Sequence, residues 1–133
     1  MTRRELLPPG WLPPRGYANG VVARGRVVAL AGQIGWSPST GTFETDDFVP
    51  QVRQALANVV ILLREAGAEP RHLVRLTWFI TNRAAYLAAQ RQLGVAYREI
   101  MGNHYPPMSV IVVAGLIEER ALVEIEATAV LPE

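Results

Sequence analysis

Two glutamates stand two residues apart near the end of the chain, in the run Leu122–Val123–Glu124–Ile125–Glu126–Ala127–Thr128–Ala129–Val130. The run alternates in polarity as a strand does. Val123, Ile125, Ala127 and Ala129 would point to one face, and Leu122, Glu124, Glu126, Thr128 and Val130 to the other. A carboxylate taken partly out of water must find a cation or hydrogen-bond donors, or its pKa rises. Placed beside a substrate, such a carboxylate can act as a general base toward water. Position alone leaves a second reading open: an ion pair with an arginine such as Arg75, or plain exposure.

The other common chemistries lack their residues. The chain has no cysteine, which removes disulfides, thiolate nucleophiles and cysteine-bound zinc. It has no lysine either; all 13 basic residues are arginine. A lysine Schiff base, covalent pyridoxal phosphate and a P-loop are therefore excluded. The two histidines, His72 and His104, stand in no metal-ligand spacing. No metal and no cofactor is expected, and His104 beside Tyr105 reads as a surface histidine.

At 133 residues the chain is the size of one domain. Half of it is hydrophobic and 19% is charged, enough for a real core. The formal net charge of +1 comes without a basic or acidic block, so neither nucleic acid nor an anionic membrane is an expected partner. Prolines at 8, 9, 13 and 14 interrupt the run a signal peptide would need, and no stretch is long enough for a membrane span. The expected location is cytoplasmic.

The elements that must position the glutamates can be read from pattern. Residues 1–16 read as an extended arm. Tyr17–Ala23 and Arg26–Ala31 read as strands of a β-hairpin closed by Arg24–Gly25, followed by a loop over 32–42. Val49, Val52, Leu56, Val59, Leu63 and Ala66 recur at steps of 3 and 4, one apolar stripe of a helix, with Gln51, Gln54, Asn58 and Glu65 on the other side. Thr45, Asp46 or Asp47 can cap its start and Gly67 its end. His72–Ile80 reads as a strand and Asn82–Met101 as a second helix. Ser109–Ala114 and Leu122–Val130 close the chain as strands.

The order β-β-α-β-α-β-β gives an α/β (α+β) fold, a mixed sheet with two helices on one face. The run Val110–Ile111–Val112–Val113 is apolar on both faces. The face away from the helices must then be covered by another subunit, and the glutamates lie on that face.

These residues resemble a known family. Gly16–Tyr17, Ala31–Gly32–Gln33–Ile34 and Pro38–Ser39–Thr40–Gly41 are similar to the first strands and Gly-Gln-Ile loop of the Rid (YjgF, L-PSP) family. Gln54–Ala55–Leu56–Ala57–Asn58 with Glu65–Ala66–Gly67–Ala68 resembles its first helix, and Tyr105–Pro106 with Val123–Val130 its C-terminal signature. The resemblance implies a chorismate-mutase-like fold and a homotrimer, with sheets forming an inner barrel and small-molecule clefts between subunits. Active members hydrolyse enamines and 2-imino acids to 2-keto acids and ammonia without a cofactor.

The resemblance also implies a site. Glu124 would hold or activate water. Tyr17 and the backbone at Ala31 and Gly32 would shape the pocket, with Arg91, Met108 and Ser109 beside them. Two positions depart from the pattern. Active members carry a carboxylate-binding arginine where this chain has Met108, and the family often has asparagine where Arg91 stands. One expectation is that Arg91 supplies the displaced guanidinium; the other is that it is a solvated helix residue. The leading expectation is a deaminase of small imines or enamines, not of standard 2-imino acids unless Arg91 replaces the clamp. The alternative is a non-catalytic trimer that binds a metabolite or regulates a partner. A ribonuclease or translation inhibitor finds less support, because no basic stripe with interleaved aromatics is present.

Overall fold

The computed structural model describes residues 3–133; the first two residues of the expected arm lie outside the described residues. Four strands form the main sheet: β3 (Arg26–Ile34), β4 (Leu73–Ile80), β5 (Met108–Val112) and β6 (Val123–Leu131). Their order is β3-β6-β4-β5. β6 pairs antiparallel with both β3 and β4, whereas β4 and β5 run parallel. β1 (Arg3–Glu5) and β2 (Val21–Ala23) form a separate antiparallel pair. Helices α1 (Phe48–Glu65), α2 (Arg83–Ala88) and α3 (Gln90–Met101) complete the α+β fold.

The alternation in β6 folds as it reads. Val123, Ile125, Ala127 and Ala129 are buried against the helices, and Glu124, Glu126 and Thr128 are not. The core joins them to Val52, Leu56, Val59 and Leu63 of α1 and to Leu93, Tyr97 and Met101 of α3. Helix α1 stops where Gly67, at φ +79°, turns the chain. The amide of Gly67 bonds to the carbonyl of Arg64 and that of Ala68 to the carbonyl of Leu63, closing the helix end.

The expected hairpin does not form. β2 pairs with the arm strand β1, and β3 pairs with β6. A two-residue hairpin turn needs positive φ at its first central residue, and among the described residues no non-glycine residue, Arg24 included, has one. β3 also runs on to Ile34 through an irregularity between Leu30 and Gln33, into what reads as loop. The expected second helix is two, parted at Ala89, whose φ of −107° and ψ of 10° leave the helical range. Asp47 stands at the start of α1 without a side-chain cap bond; Thr45 Oγ1 instead accepts from the Asp47 amide.

Gln51 and Asn58 are the larger correction. Both are buried, not on the solvent side of α1. Gln51 donates to the carbonyls of Thr45 and Arg120 and accepts from the amide of Leu122. Asn58 donates to the carbonyls of Ile34 and Trp36. These amides satisfy the backbone of loops that cross the end of the sheet, a role a two-sided helix pattern does not reveal.

Among the described residues the opposite face of the sheet is largely open, although Thr77 on it is buried. Register places Thr77 and Phe79 of β4, Ser109 and Ile111 of β5, and Glu124 and Glu126 of β6 together on it. Val27 is 69% exposed and Ile111 44%. No described helix is long and apolar enough to cross a membrane.

Candidate functional site

A cleft of about 570 Å³ opens where α2 and α3 pass the edge strand β5. All four tyrosines of the chain, Tyr17, Tyr86, Tyr97 and Tyr105, line it together with Trp78 and Met108. Its charged lining residues are two arginines, Arg15 and Arg98; no Asp, Glu or His lines it.

Local structure explains the convergence. The Ala18 amide donates to the carbonyl of Pro106, and Ala18 bridges Pro107, which ties the segment carrying Tyr17 to the start of β5. Leu76 donates to the Pro107 carbonyl and pairs with Met108, so Met108 faces the helices. Tyr97 stacks on Tyr105 at 5.2 Å between ring centroids. The Tyr97 hydroxyl donates to the His104 carbonyl, and burial raises its pKa above the ordinary tyrosine value. That phenol is a fixed wall, not a titrating group at neutral pH. Trp78 is 4% exposed, and its Nε1 is a buried donor without a hydrogen-bond partner among the described residues.

The remaining sequence-derived site residues fall into two other places. Glu124 lies against Gly32: a Cβ built on Gly32 would meet Glu124 Oε2 at 2.4 Å. Ala31 precedes this contact on β3 and is exposed. Neither Glu124 nor Glu126 makes an ion pair among the described residues. Ser109 is exposed on the same uncovered face as Glu124. Within one chain, therefore, Gly32 and Glu124 do not meet Tyr17 and Met108. Gly32 is on one edge strand and Met108 on the other, three strand spacings or about 14 Å apart, and the two groups use opposite faces.

Arg91 is exposed and does not line the cleft; Arg98, one helical turn beyond Gly94, does. Trp36 packs on Phe43, at 5.9 Å between centroids, and is not part of the lining. The sequence reading missed Arg98, Trp78, Tyr86 and Tyr97 as cleft residues. One signal was available: Gly94 sits inside an otherwise good helix pattern, where glycine costs stability and so marks a packing or functional need.

Fold and cleft together define an α+β chain with a half-open aromatic cleft at the parallel edge of a mixed sheet. The family described as endoribonuclease L-PSP matches residues 12–131. The chain belongs to this family, whose members also carry the names Rid and YjgF. A RutC family protein of Haemophilus influenzae is 33% identical over 106 residues, 80% of each chain. The human 2-iminobutanoate/2-iminopropanoate deaminase is 26% identical over 122 residues, 92% of this chain and 83% of that one. Among solved structures, the Rid protein YyfB of Yersinia pestis, described as of unknown function, superposes with a TM-score of 0.83 at 35% identity. It covers 98% of this chain and 100% of its own.

Proposed function

We propose that this chain is a Rid-family hydrolase that releases ammonia from a small imine or enamine in clefts shared between the subunits of a homotrimer. The observation that carries this reading is Glu124, a carboxylate without an ion pair among the described residues, held against Gly32 on a largely open sheet face. A second copy laid over that face removes Val27 and Ile111 from water, which apolar surface of this kind favours. It also joins the Gly32–Glu124 group of one copy to the Tyr17–Met108 cleft of the next. A head-to-tail contact of this kind uses two different patches and closes into a ring.

In such a cleft the cleft wall around Tyr17 positions the imine carbon. Glu124 takes a proton from water as the water oxygen adds to that carbon, giving a carbinolamine. That proton passes to nitrogen, a second follows from the carbinolamine hydroxyl, and ammonia leaves as the C–N bond breaks and the C=O bond forms. No redox partner is needed, and every atom comes from imine and water. The name of the human relative supports this chemistry for the family; the substrate here is this chain's own question. Met108 offers no charge to a substrate carboxylate, so the substrate is not a standard 2-imino acid unless another guanidinium takes that place. A non-catalytic metabolite-binding trimer is the rival reading, favoured by Met108.

Subunit complementation tests the shared cleft. Glu124→Gln and Tyr17→Phe chains, each inactive alone, are unfolded together and refolded as mixed trimers. Shared clefts restore activity, because some clefts then take Glu124 from the Tyr17→Phe chain and Tyr17 from the Glu124→Gln chain. Activity absent from the mixture, with trimers seen by sedimentation, contradicts the arrangement.

A further inference from the structure

We propose that the Tyr17–Met108 cleft takes an aromatic carboxylate, with Arg98 holding the carboxylate and the ring lying among the tyrosines. The inference rests on the cleft being the ligand site proposed above, and it names the class of ligand.

The lining sets the class. Concentrating every tyrosine of the chain and Trp78 around one cavity gives broad π-faces, which favour flat rings in offset or edge-on contact. Met108 adds an unbranched, polarizable side chain that packs on ring edges. At about 570 Å³ the space falls within the about 300–1,000 Å³ of pockets that enclose drug-sized ligands. A three-carbon acid would leave most of these walls without a partner.

The charges set the sign. Among the described residues Arg15 and Arg98 carry the only charges in the lining, and neither is ion-paired. Arg98 is placed by a missing side chain. Its Nη1 would lie 3.3 Å from a Cβ built on Gly94, so the guanidinium folds back over the bare turn of α3 into the cleft. A guanidinium there can bond a carboxylate through two parallel N–H groups. Trp78 supplies a further sign of a missing partner. Its Nε1–H is buried and unbonded, and leaving such a donor unsatisfied is costly. The donor has almost no surface of its own, so a ligand oxygen satisfies it only where the wall side chains around the ring shift.

The test measures binding, which needs no turnover. The probes are phenylpyruvate, pyruvate and the neutral phenylacetamide, titrated into the trimeric protein by calorimetry. The indole Nε1–H signals of the ¹⁵N-labelled protein are followed in parallel. With three tryptophans in the chain, Trp11→Phe and Trp36→Phe assign the Trp78 signal by elimination. Phenylpyruvate is expected to bind at least about tenfold more tightly than pyruvate and to move the Trp78 signal. Arg98→Gln is expected to weaken phenylpyruvate about tenfold or more and phenylacetamide less than about twofold, the loss of a charge-assisted contact. Equal affinity for pyruvate and phenylpyruvate, or an Arg98→Gln affinity equal to wild type, overturns the proposal. If imine hydrolysis is lost in Glu124→Gln but phenylpyruvate does not bind, the ligand class is wrong and the hydrolase reading stands. If phenylpyruvate binds through Arg98 but no imine is hydrolysed, the ligand class stands and the hydrolase reading fails.

Discussion

Gly32 leaves room for Glu124: any β-carbon at residue 32 would approach Oε2 of Glu124 to 2.4 Å and its Cγ and Cδ to 2.7 Å. Gly32 is not required by a left-handed turn, since its φ is not among the positive values of the chain. The constraint is the space the carboxylate occupies. Gly32→Ala is expected to cost about 1–3 kcal/mol by overpacking and to swing the Glu124 side chain away. In a Glu124→Ala background the same change should cost markedly less. Urea unfolding of the two single variants and the double variant measures the coupling. Additive costs would show that Gly32 serves something other than Glu124.

Gly94 and Arg98 make the opposite trade. Gly94 lies in the middle of α3, where glycine is about 1 kcal/mol worse than alanine. The nearest group to a new methyl is the flexible end of Arg98, which can move a few tenths of an ångström. Gly94→Ala is expected to add about 0.5–1 kcal/mol of stability, seen as a higher unfolding midpoint, while weakening aromatic carboxylate binding. Thermal unfolding and calorimetry on the same sample check both halves. A stabilised protein with unchanged binding would mean that Arg98 does not depend on the bare turn.

His72 makes stability depend on pH. It is buried at the end of a short 3₁₀ turn (Pro70–His72), and its Nδ1 accepts the Glu69 amide at 3.0 Å. Burial first, and the neighbouring Arg71 second, hold its pKa below the ordinary histidine value of 6.5. Protonation would also remove the acceptor. The unfolded chain therefore takes up a proton before the folded one does. The stabilising contribution is whole above about pH 6.5 and is lost as pH falls through the lower folded value. Between pH 7 and pH 5 the wild type is expected to lose more stability than His72→Asn, which keeps an acceptor that does not titrate. Identical pH dependence in denaturant midpoints would show that His72 is not responsible.

Much of this was readable from the sequence, for identifiable reasons. The period-2 run ending in Val130 fixed the faces of β6, because a strand in a half-covered sheet has little freedom to invert. The apolar run of β5 pointed to an open face, and Ile111 is exposed on it in the single chain, whereas Val110 and Val112 lie on the helix side. Local pattern failed where side chains act at a distance. Gln51 and Asn58 look solvent-facing because their amides serve loops 69 to 71 and 22 to 24 residues away, respectively. The hairpin failed because strand propensity does not choose a partner, and β2 found the arm. The cleft failed in part because Tyr17, Trp78 and Tyr97 lie on three separate segments. Arg91 does not line the cleft of the single chain, and Arg98, folded over the bare turn at Gly94, does.

Ammonia release from freshly generated 2-imino acids, by wild type and by Glu124→Gln with its trimer checked by sedimentation, tests the central claim most directly. The substrates would be the imines of alanine and of phenylalanine. Wild type is expected to accelerate hydrolysis, more for the phenylalanine imine, and Glu124→Gln to lose at least about 100-fold of that rate, as removal of a general base does. Equal rates for Glu124→Gln and wild type, or no acceleration of either imine by wild type, would contradict it.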